Sequence, residues 1–142
     1  MKKNLRHLSR QLAVQALYYN QTNPTTIGTI EDYLSEVENE TFVTADYKFT
    51  HFLIEEAITY FDIYLSMYQG GSHIPLTELD YNEKSILVLA VVELKSSKEV
   101  PAKVIVNEAI ELAKELGATD SYKYINGLVN YQARLIRPAE FI

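Results

Sequence analysis

The chain has 142 residues, 47% of them hydrophobic and 23% charged, which is the length and balance of one globular domain with a core of its own. It has no cysteine, so a disulfide framework, a thiolate metal site and a cysteine nucleophile are excluded. The net charge of −6 is unevenly spread: the first 30 residues hold no acid and carry +4 on Lys2, Lys3, Arg6 and Arg10, leaving −10 on the remainder. Such asymmetry points to a basic arm on an acidic body, or to nothing more than a solvated basic end. The longest apolar run, residues 86–92, is far short of the ~20 residues that span a bilayer, and the basic N-terminus has no apolar stretch behind it to form a secretory signal. A soluble, cytoplasmic protein is expected.

Apolar residues recur at helical spacing throughout, and no segment of useful length alternates with period two. The pattern predicts helices over about 4–20, 29–40, 45–68, 81–97, 101–116 and 119–136. In the first, Leu5, Leu8, Leu12, Ala16 and Tyr19 fall on one side, while Lys3, Arg6, His7 and Arg10 fall opposite as a cationic ridge facing solvent. Tyr18 projects near the edge of that ridge. Cations beside an aromatic ring suit the phosphates and unstacked bases of single-stranded RNA, although four cations on a solvated helix are also ordinary.

The third helix carries an aromatic stripe, Phe49, Phe52, Tyr60, Phe61, Tyr64 and Tyr68, which reads as a core seam rather than a cofactor box. Residues 68–75 (YQGGSHIP) form the one strong interior linker signal, dividing the chain into halves of about 1–69 and 75–142. Beyond it, residues 86–92 are apolar all round, placing their helix at the centre of the C-terminal half. Pro101 opens the next helix, whose stripe is Ile105, Ala109, Leu112, Ala113 and Leu116, with Gly117 at its C-terminal cap. Thr119 is the expected N-cap of the last helix, with Asp120 complementing the helix dipole and Ile125, Leu128, Val129, Leu135 and Ile136 buried. The fold class is all-α, a bundle of two packed three-helix-like halves.

Little here suggests catalysis. His7, His51 and His73 lie far apart in sequence without a second ligand at metal spacing, and no phosphate loop, nucleophile elbow or dinucleotide fingerprint is present. The carboxylate pairs Glu55/Glu56 and Glu108/Glu111 read as solvated helix faces. The chain is expected not to be an enzyme and to take no metal and no cofactor.

Four segments, RQLAVQALY at 10–18, EKSILVLAVVEL at 83–94, VPAKVIVNEAIELAK at 100–114 and DSYKYINGL at 120–128, together resemble the NusB transcription antitermination factors. They cover nearly half the chain in the family's order and spacing. The resemblance implies a single RNA-binding domain over 1–142, without catalysis, that binds boxA-type RNA with the ribosomal protein NusE and joins the RNA polymerase antitermination complex at ribosomal RNA operons. It places the family's arginine-rich motif on Lys2, Lys3, Arg6, His7 and Arg10, and Tyr18 near the RNA. Glu83, Asp120 and Tyr124 match positions at RNA or partner surfaces. Asn107, Asn126 and Gly127 belong to the family signature and are expected to be structural, the asparagines buried between helices and the glycine at a close helix approach.

The chain also departs from the pattern. Leu5, His7 and Leu8 interrupt the arginine run, Val88 replaces a common arginine, and Asn130 a usual aspartate. The interrupted motif implies weak RNA binding alone and a stronger dependence on the partner. Two other readings remain: the RNA-binding module of a ribosomal RNA cytosine methyltransferase, against which stands the end of the chain at Ile142, and a helical interaction protein or homodimer that has lost RNA binding.

Overall fold

The structure is a computed structural model that describes residues 4–142. These form eight α-helices and three short 3-10 turns, with no strand among the described residues. Most helix starts have a visible cause. Asn4 Oδ1 accepts from the N–H groups of Arg6 and His7 (3.0 and 3.3 Å) and starts α1, Leu5–Thr22. Thr26 and Asp46 cap α2 (Ile27–Val37) and α4 (Tyr47–Thr59) in the same way, with the short α3 (Asn39–Thr44) between them. After α5 (Phe61–Ser66) and the linker, α6 (Tyr81–Ser96) opens on a capping box in which Asp80 and Glu83 each accept from the other's N–H. Pro101 precedes α7, Ala102–Leu116, and α8 runs Ser121–Ile136.

Helix α6 is the axis of the molecule. Residues 85–94 are all buried, and α6 touches α1, α4 and α5 on one side and α7 and α8 on the other. The sequence placed it at the centre of the C-terminal half, whereas it is shared by both halves. Each of its Leu and Ile side chains is worth about 1.5–3 kcal/mol when taken fully out of water, so this run anchors the common core. The Tyr68 hydroxyl reaches in from the linker and donates to the Leu87 carbonyl (2.6 Å), with burial pushing its pKa above the usual tyrosine range. At the other end of α6, Arg137 donates to the carbonyls of Glu93, Leu94, Ser97 and Val100, tying the end of α6 and the turn after it to the end of α8 and setting a cation at the negative end of the α6 dipole.

Several sequence expectations are corrected. The expected helix over 45–68 is broken at Tyr60, which leaves the helical region (φ −113°, ψ 20°) one residue after Thr59 turns its hydroxyl back onto the Glu55 carbonyl at 2.8 Å. The second expected helix starts earlier, on the Thr26 cap, and breaks at Glu38. Asp120, not Thr119, holds the N-cap position of α8; it makes no capping bond and is the one described non-glycine residue with a positive φ, 69°. Asn107 and Asn126 are exposed rather than buried, and a Cβ on Gly127 would meet nothing within 4 Å, so no close helix approach requires that glycine. Leu135 is 59% exposed and Tyr60 39%, so neither belongs to the core.

Candidate nucleic-acid interface

The first turns of α1 carry the described cations, and their surroundings differ from the expected solvent-facing ridge. From Leu8 to Leu17 this helix is buried almost all round, because α4 and α6 pack against different sides of it. Arg10 therefore points into the molecule. Its guanidinium donates from Nε and Nη2 to the two oxygens of Glu93, each at 2.8 Å, and Nη1 stands 3.6 Å from Glu108. The side chain is 3% exposed.

His7 lies between two carboxylates of α7. Nδ1 is 2.6 Å from Glu108 and Nε2 is 2.9 Å from Glu115. Both nitrogens can donate only when the ring is an imidazolium, so the geometry selects the charged form. Burial pushes the His7 pKa down, but the hydrogen bonds and charges of the two glutamates outweigh it, and the net displacement is upward. Arg6 is 40% exposed, packs its guanidinium over the Phe49 ring at 4.4 Å and reaches Glu99 at 3.4 Å. Lys2 and Lys3 lie outside the described residues. Arg6, His7 and Arg10 thus face four glutamates, 93, 99, 108 and 115, and their charge is largely answered from within the fold.

Tyr18, 44% exposed, stands two turns along α1 with its ring edge-on to Tyr81 (5.5 Å, 85°). This brings it to the start of α6, where Glu83 is half-buried and engaged in the capping box. Asp120 and Tyr124 belong to the opening of α8: Asp120 is exposed beside Lys123 (3.6 Å), and the Tyr124 hydroxyl bonds Ser72 of the linker. No group of three or more His, Asp or Glu residues able to hold a metal ion occurs among the described residues. None of the described helices is long and apolar enough to cross a membrane.

The sequence reading missed the acids that meet these cations. Glu93 carried a signal, since a carboxylate one residue beyond a fully apolar helical run requires a buried partner. Glu108, expected on a solvated face, is half-buried between His7 and Arg10, whereas Glu111 is exposed as expected. Glu99 and Glu115 had no sequence signal, because their partners lie more than 90 residues away on another helix.

Comparison with known proteins places this architecture. The model of the NusB family matches residues 7–134. The transcription antitermination protein NusB of Colwellia psychrerythraea is 36% identical over 141 residues, covering 99% of this chain and 100% of the relative. That of Mannheimia succiniciproducens is 42% identical over 128 residues, covering 88% and 86%. A solved structure of T. maritima NusB superposes with a TM-score of 0.78 at 25% identity, covering 99% of both chains. On the family match, the full-length relatives and the shared helical fold, the chain belongs to the NusB family.

Proposed function

We propose that this chain is a transcription antitermination factor, a non-catalytic adaptor that binds boxA-type single-stranded RNA together with a NusE-type ribosomal protein and delivers both to the transcribing polymerase. The observation that carries this reading is the family match over residues 7–134, joined to cations at the start of α1 that lead to an exposed tyrosine on the same helix. In this reading the phosphates meet Lys2, Lys3 and Arg6, with His7 at the margin, and Tyr18 offers its ring to a base. Arg10 acts through position: paired with Glu93, it holds α1 on α6 and aims the residues ahead of it. Glu83, Asp120 and Tyr124 are assigned to the RNA or partner surface.

The internal pairing of Arg6, His7 and Arg10 supports a further part of the reading, that the chain alone binds RNA weakly and relies on its partner. RNA must compete with carboxylates already in place. The test is a fluorescence titration of a short boxA-type RNA with and without the NusE-type protein, comparing the native chain with Lys2→Ala/Lys3→Ala/Arg6→Ala. Tight binding only with the partner, lost by at least tenfold in the variant, supports the adaptor. No RNA binding under either condition sinks it and leaves a helical interaction protein.

A further inference from the structure

A cleft of about 520 Å³ opens where the second half of α1 meets the end of α2, the start of α6 and the end of α7. Gln15, Tyr18, Tyr19, Tyr33, Glu38 and Asn82 line it. Its aromatic rings are held by other rings: Tyr33, 39% exposed, lies against Tyr19 at 4.6 Å and 32°, and Tyr18 is braced by Tyr81. Rings fixed in this way, yet substantially exposed, offer a planar ligand a surface to stack on with little further ordering cost.

The polar groups of the cleft have a direction. Asn82 Nδ2 donates to the Leu116 carbonyl at 2.8 Å, which fixes the amide and leaves Oδ1 as a free acceptor. Neither the Glu38 carboxylate nor the Gln15 amide has a side-chain hydrogen-bond partner among the described residues. The cleft thus presents two acceptors, Asn82 Oδ1 and the Glu38 carboxylate, beside the two-way amide of Gln15. A matching ligand is flat and rich in N–H donors. Adenine, cytosine and guanine carry an exocyclic amine; uracil has a single ring N–H flanked by carbonyls, which a carboxylate repels.

The cleft is also continuous with the charged start of α1. His7, Gln11, Gln15, Tyr18 and Thr22 follow one another at spacings of four, four, three and four along a single line of the helix. His7 and Gln15 are separated by roughly 12 Å of helix axis. A strand whose phosphates engage the first turn of α1 is therefore led to the cleft.

We infer that this cleft is a base-reading subsite: it takes one unstacked, amine-bearing nucleobase of the bound strand, stacked on the tyrosines, with Glu38 and Asn82 accepting from its N–H groups. The inference rests on the RNA-binding reading above and adds sequence preference to it. It is tested with the full chain and its partner protein, titrating a boxA-type RNA series in which each adenine, cytosine and guanine is replaced in turn by uracil. The expected result is one position where uracil lowers affinity about tenfold for the native chain. Glu38→Gln abolishes that discrimination, and Tyr33→Leu weakens binding about tenfold, the range expected for loss of one stacked base. Glu38 is at the surface, and unchanged melting of Glu38→Gln confirms that the fold is intact. RNA binding with equal tolerance of uracil everywhere, or discrimination that survives Glu38→Gln, overturns the subsite alone. Absence of binding to every RNA overturns the RNA-binding reading and the subsite with it.

Discussion

Arg10 of α1 and Glu93 of α6, 83 residues apart in the chain, meet in a two-bonded ion pair with both bonds at 2.8 Å and each side chain 3% exposed. Two charges at that depth are tolerated only because each answers the other. Arg10→Met leaves Glu93 buried without its partner and is expected to cost about 3–5 kcal/mol in urea unfolding, whereas Arg10→Met/Glu93→Leu recovers most of that loss. The double variant also separates positioning from contact. If Arg10 only holds α1 in place, the refolded double variant binds RNA within about threefold of the native chain; a hundredfold loss would show that Arg10 touches RNA itself.

His7 makes stability depend on pH. Its pKa is raised in the fold by Glu108 and Glu115 against the opposing effect of burial. A raised histidine pKa means that the folded state binds the proton more tightly than the unfolded state, whose value is ~6.5. The stabilisation is therefore complete below about pH 6.5 and is lost as pH climbs through the higher folded value. Deprotonation leaves Glu108 near Arg10 and Glu115 with no cation among the described residues. His51, which bridges Glu31 and Glu55 at 2.7 and 3.0 Å, acts in the same direction on α2 and α4. Melting temperatures measured from pH 5.5 to 9 should fall at the alkaline end for the native chain, less for His7→Gln, and least for His7→Gln/His51→Gln. A His7→Gln profile parallel to the native one refutes the assignment.

The acids that pair with the exposed cations should restrain RNA binding. Glu99 and Glu115 are each more than a third exposed, so their pairs with Arg6 and His7 are of the surface kind, worth about 0.2–1 kcal/mol. Replacing either by glutamine removes a negative charge that repels phosphate, and Glu99→Gln also frees the Arg6 guanidinium, whereas His7 stays bonded to Glu108 when Glu115 is replaced. RNA affinity should rise for Glu99→Gln and Glu115→Gln by up to about fivefold each, with the gain largest at low salt where surface charges are least screened. Unchanged affinity at 50 mM salt would mean that RNA never approaches this part of α1.

What the sequence revealed and what it hid follow one physical line. Patterns set by a single helix were legible: the all-apolar run of α6, the stripe of α7 through Ile105, Ala109 and Leu112, the proline before α7 and the linker at 68–75. Properties set by the number of neighbours a helix has were not. A helical wheel divides α1 into an apolar and a charged side, but with α4 and α6 on different sides it has almost no solvent side between Leu8 and Leu17. Val14 and Leu17, away from the leucine stripe, were the available hint. In the same way a signature asparagine in an amphipathic helix does not declare its direction, and Asn107 and Asn126 face outward. The cleft around Gln15, Tyr33 and Asn82 joins four segments and has no local signature at all.

The linker supplies a last prediction, one whose sign reverses with its surroundings. A Cβ added to Gly71 would lie 2.5–2.9 Å from three ring atoms of Tyr131, one of them Cγ, so the ring must turn away or the linker must shift. The glycine's backbone is not in the positive-φ region, so the obstacle is space rather than conformation. Gly71→Ala in the native chain is thus an overpacking change, expected to cost about 1–3 kcal/mol. In a Tyr131→Ala background the ring is gone, and the same substitution only narrows the unfolded ensemble, which should stabilise by about 0.4–1 kcal/mol. Urea unfolding of the four chains gives both numbers. A cost that is the same in the two backgrounds would show that Tyr131 is not what keeps residue 71 a glycine.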